Sequence, residues 1–260
     1  MCIRDRIDNS LFDDESRDES REEGRLRSRH AYDAPVSAFA VNFNTYAVSV
    51  APGEHVGAPA TVTLDPYPLG GVVIEAKVST SAPTGGKPHS PAVTVTREVR
   101  KDGIERLKVT GQIALGAPIH KIYRSVANDV RAAGEYVRAF LKNEGIVVQG
   151  KIRPGVKPPQ ASLLLSTEGY EMRRIVAGLN TFSNNYIADV LLKRLGAAFP
   201  RAGQPEAPGS GTLANGLAVL RDFLVKEVGI KSEFVIENGS GLDTDNRLTA
   251  RQINAVLGYM

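Results

Sequence analysis

The chain has 260 residues, of which 42% are hydrophobic, 23% charged and 6% aromatic, enough apolar material for one or two packed cores. Its strongest apolar runs, at residues 72–74, 146–148 and 163–165, fall far short of the roughly 18 residues that a membrane span needs, so no transmembrane segment is expected. A single cysteine, Cys2, excludes an intramolecular disulfide, and four scattered histidines form no metal-ligand pattern. The net charge of +3 gives no footprint for nucleic acid.

That charge is unevenly spread, because residues 1–30 carry seven basic and nine acidic side chains, leaving an excess of five positive charges on the remainder. Residues 1–6 contain charge but neither an apolar core nor a small-residue cleavage site, so they do not read as a signal peptide. Either the protein is not exported or its true N-terminus lies elsewhere. Residues 13–24 are dense in both charges and nearly free of apolar side chains, which predicts a solvated loop. The composition divides the chain into a charged leader and loop at 1–33, a β-rich region at 34–152, and a largely helical region at 153–260.

From Ala38 onward apolar residues recur with period two. Phe39, Val41 and Phe43 share one phase and Tyr46, Val48 and Val50 another, predicting a hairpin that turns at Asn44-Thr45. Further strands are predicted at 61–64, 72–79, 92–99 and 106–113, separated by Pro/Gly punctuation, and together they read as a small antiparallel module. A helix is predicted over 124–143, where Val126, Val130, Val137 and Leu141 keep helical spacing ahead of Gly145, and a strand over 146–152. Three prolines within 153–159 mark a boundary. Helices follow at 171–179 and 184–195, the second with Ile187, Val190, Leu191 and Leu195 on one face. After a Gly/Pro/Ala loop at 200–211, Thr212 caps a helix built on Leu213, Leu217, Leu220 and Leu224. A short strand at 233–236, a turn at 238–241, and a final helix opened by the capping box Thr249-Ala-Arg-Gln252 complete the reading.

Several chemistries lack their motifs. No Gly-x-Ser-x-Gly elbow occurs, no P-loop occurs, and Gly209-x-Gly211 has no strand ahead of it to support a dinucleotide site. No histidine follows His120, so nothing supports a Ser/His/Asp triad. Two segments remain: Ser183-Asn184-Asn185 between predicted helices, and the run Glu237-Asn-Gly-Ser-Gly-Leu-Asp-Thr-Asp-Asn-Arg-Leu-Thr-Ala250. Read locally, Ser183 is an N-cap for the helix that follows, and Asn238 to Gly241 is a turn whose glycines supply positive φ.

Read together, the two segments resemble the penicillin-binding D-alanyl-D-alanine carboxypeptidase/endopeptidases, the serine peptidase family that includes penicillin-binding protein 4. The family's Ser-x-Asn motif is similar to Ser183-Asn184-Asn185. Its long signature is similar to Asn238–Ala250, with Asp243 in place of the usual serine. The segments around Ile7–Asp13, Ala34–Ala38 and Val41–Asn44 also resemble the family, so the likeness runs from about Ile7 to Met260. It implies an α+β fold: part of a penicillin-binding/β-lactamase-like α/β/α catalytic domain with an antiparallel sheet, preceded by an inserted β-rich module. It also implies attack by the serine of a Ser-x-x-Lys motif on the bond between two D-alanines, through an acyl-enzyme.

By the same resemblance Ser183 relays a proton, since a hydroxyl both donates and accepts, and Asn185 orients the substrate amide, with Asn184 as a further substrate-binding candidate. Gly239, Ser240, Gly241, Asn246 and Arg247 are the structural signature. The implied partners are peptidoglycan stem peptides ending in D-Ala-D-Ala and β-lactam antibiotics as acylating inhibitors, with no cofactor and no metal. The implied location is periplasmic or otherwise extracytoplasmic, which suits a matching region without cysteine.

The chain departs from the family where the chemistry is heaviest. No serine is followed three residues later by lysine, and no lysine by Thr-Gly or Ser-Gly, the nearest being Lys231-Ser-Glu233. An internal fragment lacking both outer motifs is therefore expected, with residues 1–6 as a foreign remnant and the isolated chain inactive. A pseudoenzyme is the alternative. No tryptophan occurs, although the family often carries one in the region of 14–29, so no role is assigned there. The competing class is a non-catalytic wall-binding or interaction module, and a class A β-lactamase would not carry so long a β insertion.

Overall fold

The computed structural model describes residues 6–17, 30–200 and 205–260. Its elements are β1 (Arg6–Ile7), β2 (Thr45–Ala51), β3 (Thr61–Asp65), β4 (Val72–Ser81), β5 (Ala92–Val99), β6 (Glu105–Ala114), β7 (His120–Ser125), α1 (Asp129–Asn143), β8 (Arg153–Pro154), α2 (Met172–Phe182), α3 (Asn185–Ala198), α4 (Leu213–Lys226) and α5 (Ala250–Tyr259). They form two compact units. The first comprises 30–34 and 40–153, the second 6–17, 35–39, 154–200 and 205–260.

The first unit holds two three-stranded sheets, ordered β3-β2-β7 and β4-β6-β5. In one, β2 is central and antiparallel to both neighbours, with Val48 opposite Leu64 on β3 and Ile122 on β7. Its alternation sends Tyr46, Val48 and Val50 into the core while Ala47 and Ser49 stay small on the other face. In the other sheet β5 pairs antiparallel with β6, but β4 pairs with β6 in parallel, Val72 opposite Glu105. The module is mixed rather than wholly antiparallel: β5 intervenes between β4 and β6 in sequence and occupies β6's far edge, so β4 and β6 run the same way.

The predicted hairpin at Asn44-Thr45 does not form. Asn42, Phe43 and Asn44 all take left-handed backbone, with φ of 53°, 56° and 53°, and make a 3-10 turn that leads the chain into β2. The turn is closed by Asn42 Nδ2 donating to Thr45 O (2.9 Å) and Thr45 Oγ1 donating to Asn42 O (2.7 Å). Phe39 and Phe43 consequently stand exposed.

The helix predicted from residue 124 begins later. Arg124 and Ser125 end β7, and Asn128 caps α1 by accepting Arg131 N–H at 2.8 Å. The segment predicted as a strand over 146–152 is irregular; Ile152 lies so close to α1 that a Cβ on Gly134 would fall 2.4 Å from its Cγ2.

A buried polar cluster crosses this unit. Glu105 accepts the Tyr46 hydroxyl (2.8 Å) through one oxygen and Ala127 N–H (2.8 Å) through the other, with the Arg97 guanidinium 3.4 Å away. Burial, helped by the Glu105 charge, pushes the Tyr46 hydroxyl far above its ordinary pKa, so it acts only as a donor here.

The second unit is helical. Gly196 on α3 and Gly216 on α4 let these helices pack backbone to backbone: a Cβ on Gly216 would lie 2.1 Å from Leu192 O. The buried side of α3 is Asp189, Leu192, Lys193, Gly196 and Ala197, not the predicted face, whose Leu195 is exposed. Gly209 and Gly211 receive the N-terminal segment instead of a nucleotide. Gly211 N donates to Leu11 O at 2.9 Å, and a Cβ there would strike the Phe12 ring. Within the predicted solvated loop, Asp13 to Arg17 are described and Asp13 is tied to α3; residues 18–24 lie outside the described set. The strand predicted at 233–236 reduces to one bridge, Val235 with Arg247. Residues 161–171 form no regular structure, and Leu163, Leu164 and Leu165 are 83%, 97% and 78% exposed.

Candidate active site

α2 and α3 are almost continuous, and their junction is Ser183-Asn184. Ser183 terminates α2 in left-handed backbone, φ 49° and ψ 51°, with its N–H region turned back toward α2 through Asn184 N donating to Leu179 O at 3.2 Å. The N-cap of α3 is Asn184, whose Oδ1 accepts Ile187 N–H at 3.0 Å. The local reading of Ser183 as N-cap is thereby corrected: the αL turn moves the cap one residue on. A non-glycine residue in this conformation costs roughly 1–3 kcal/mol, and such strain gathers where function over-determines the backbone. Ser183 is exposed; Asn185, the first residue of α3, is half-buried.

The second motif folds as a braced turn. Asn238 is buried and its Oδ1 accepts Gly241 N–H (2.9 Å) and Asn246 Nδ2–H (3.3 Å). Asn246 in turn accepts Glu237 N–H at 2.8 Å and donates to Asp243 O at 2.9 Å, while Gly241 takes φ 72°. Arg247 exchanges two backbone bonds with Val235 and turns its guanidinium to the carbonyls of Thr244 and Asn246. Ser240 is half-buried and Gly239 exposed. These signature residues shape the loop, which then enters α5 through the capping box of Thr249 and Gln252.

The second motif meets the helix that follows the first. Gly239 N–H donates to Asp189 Oδ1 at 3.1 Å, and a Cβ on Gly239 would sit 2.9 Å from Ala188 O. Asp189 is one helical turn beyond Asn185, and Lys193 one turn further, so three polar side chains line one stripe of α3. Asp189 and Lys193 are each 4% exposed. Lys193 Nζ reaches Asp13 Oδ1 at 2.5 Å and also donates to Glu15 O, and Tyr186 donates its hydroxyl to Ser37 O at 3.2 Å. Sequence reading missed Asp189, Lys193 and Asp13. The available signal was the i, i+4 spacing of Asn185, Asp189 and Lys193, which interrupts the apolar pattern of α3.

An open depression of about 670 Å³ lies at the start of α2, where the Arg174 guanidinium stacks 4.1 Å over the Tyr170 ring; it contains none of the predicted site residues. Among the described residues no group of three or more His, Cys, Asp or Glu is placed to hold a metal ion, and no helix is long and apolar enough to cross a membrane.

The arrangement offers a hydroxyl able to accept and donate a proton, an amide able to orient a peptide, and a braced glycine turn docked on α3 one helical turn beyond that amide. The D-alanyl-D-alanine carboxypeptidase of Actinomadura sp. (strain R39) is 29% identical over 239 residues, covering 88% of this chain and 41% of that protein. In structure the chain is similar to penicillin binding protein 4 of Haemophilus influenzae, with a TM-score of 0.68 at 21% identity over 98% of this chain and 52% of the other. The same protein complexed with a novel β-lactam matches with a TM-score of 0.58 at 21% identity, over 87% of this chain and 50% of the other. The expected α+β, penicillin-binding-like fold is borne out by these likenesses, and the chain spans about half the length of the relatives it matches. The model of the D-Ala-D-Ala carboxypeptidase 3 (S13) family matches residues 3–260, and the chain belongs to that family.

Proposed function

We propose that this chain is part of a serine-type D-Ala-D-Ala carboxypeptidase/endopeptidase that cleaves peptidoglycan stem peptides through an acyl-enzyme, outside the cytoplasm. The observation that carries the reading is Ser183 itself, an exposed serine kept in left-handed backbone between two helices, with Asn185 opening the second. That backbone also ends α2 as its C-cap, while the N-cap of α3 is Asn184, so the Ser183 hydroxyl is not the group that caps α3. In this reading the Ser183 hydroxyl passes a proton toward the leaving amine, and the Asn185 amide accepts and donates hydrogen bonds to the substrate backbone, fixing the scissile bond before attack. Because the Asn184 oxygen is engaged by Ile187 N–H, its part is to set the start of α3.

The nucleophile and its lysine lie outside these 260 residues, as does a Lys-Thr-Gly strand, since neither motif occurs in the sequence. The relatives' roughly twofold greater length supports this, as does the exposed Leu163–Leu165 run, an apolar triplet that a completed domain would cover. β-Lactams, which acylate such serines, are the expected inhibitors.

The test is acylation by a fluorescent penicillin. The 260-residue chain alone should take up no label, and the longer enzyme containing it should label stoichiometrically. Ser183→Ala and Asn185→Ala in that enzyme should each slow acylation at least tenfold with little loss of stability. Labelling of the isolated chain, or full acylation rates in both variants, would remove the reading.

A further inference from the structure

We propose that Asp189 is a positioning residue for this reaction, one that sets the relative placement of the Ser183-x-Asn185 segment and the Asn238–Gly241 turn. The inference rests on the proposed acyl-enzyme function and adds a residue that neither motif contains.

The physical case starts from burial. Asp189 is 4% exposed on a helix whose other inward residues are small or aliphatic, apart from Lys193. A carboxylate removed from water is costly unless its oxygens are hydrogen-bonded. One of its oxygens accepts Gly239 N–H at 3.1 Å, 50 residues away in the chain. A backbone donor fixes the loop's path rather than one mobile side chain. The contact is also steric, because at Gly239 the loop touches α3 so closely that a methyl group would lie 2.9 Å from Ala188 O and 3.2 Å from Asp189 Oδ1. The turn is rigid in itself, Asn238 and Asn246 bracing it from within. A rigid turn held by a short backbone hydrogen bond moves with the helix that holds it, so the acceptor on Asp189 helps to set where the turn sits along α3.

The other end of the stripe is anchored as well. Lys193, one turn after Asp189, is held by Asp13 and by the carbonyl of Glu15, and Asp189 and Lys193 line one cavity of about 10 Å³ with Val36 and Leu213. α3 is therefore held at Lys193 as well as at Asp189, and Asn185 lies one turn before Asp189. Displacement of an orienting amide by about 1 Å costs on the order of a hundredfold in rate.

The experiment uses the longer enzyme and a fluorescent penicillin, separating the acylation rate constant from the fraction of chains labelled. Parent enzyme that does not label at all refutes the function, not the positioning role. Given a labelling parent, Asp189→Ala should lower the rate constant tenfold or more while the labelled fraction stays near one per chain and the pre-acylation affinity changes less than threefold. Asp189→Asn, which keeps an oxygen acceptor, should recover most of that loss. Gly239→Ala pushes the turn away from α3, against Ala188 O, and should lower the same rate constant, which keeps the test decisive should Asp189→Ala not fold. A purely structural role would instead reduce the labelled fraction at an unchanged rate constant. That pattern, or a folded Gly239→Ala with parental rate, overturns the proposal.

Discussion

Lys193 Nζ and Asp13 Oδ1 are 2.5 Å apart across 180 residues of sequence, the lysine 4% exposed at its side chain and the aspartate 25%. This pair joins the N-terminal segment to α3, with the Phe12 ring 5.9 Å from the same ammonium. Its free-energy balance is asymmetric: desolvating both charges offsets much of their attraction, but removing one leaves the other stranded.

Asp13→Ala should accordingly destabilise the second unit by about 3 kcal/mol, whereas the double change Asp13→Ala with Lys193→Met should recover most of it. Urea unfolding followed by a probe in that unit reads both values. A double variant no more stable than Asp13→Ala would show that the loss comes from packing and not from the orphaned charge.

In the first unit Glu105 is the corresponding buried charge. It is 5% exposed and satisfies Tyr46 Oη–H, Ala127 N–H and the Arg97 guanidinium at once. Glu105→Ala should cost about 3–5 kcal/mol, because Arg97 is left with its charge buried, and Tyr46→Phe only about 1–2 kcal/mol, because Glu105 keeps its other donors. Equal losses for the two variants would argue against a charge network.

Asp8 links stability to pH. Burial raises its pKa, but the hydroxyl and N–H of Ser10, the N–H of Lys157 and the charge of that lysine together outweigh it, so the folded value lies below 3.8. The carboxylate's stabilisation is therefore complete above the unfolded value and is lost as pH falls from there through the lower folded value. Asp8→Asn should lower the urea midpoint at neutral pH, and its deficit relative to the parent should vanish in strong acid. A deficit that persists unchanged to about pH 2 would exclude the linkage.

The helices were legible in sequence because each carries its own signal. Thr212 and the Thr249/Gln252 box cap α4 and α5 as their spacing indicates, and β5 occupies the residues its alternation marks. What could not be read locally depends on partners far away in the chain. β4 and β6 are parallel because of where β5 sits, Asp13 looks like loop charge until Lys193 is found beside it, and the left-handed Asn42–Asn44 turn breaks a period-two pattern that reads as a strand. At the site, the two motifs were legible by resemblance, but the contact of the second with α3 through Gly239 and Asp189 was not, since neither residue's chemistry announces the other.

Ser183 brings stability and activity into opposition. Its φ of 49° and ψ of 51° are native to glycine and unfavourable for a residue with a Cβ, so Ser183→Gly should relieve roughly 1 kcal/mol of strain at the end of α2. Ser183→Ala keeps the Cβ and should give no such gain. Both lose the hydroxyl, so both should acylate at least tenfold more slowly than the parent in the longer enzyme. Paired measurement of urea midpoint and fluorescent-penicillin acylation separates the effects: the glycine variant should be the most stable of the three and as slow as the alanine variant. A glycine variant less stable than the parent would mean that the left-handed backbone carries no strain, and parental acylation in either variant would mean that the hydroxyl moves no proton.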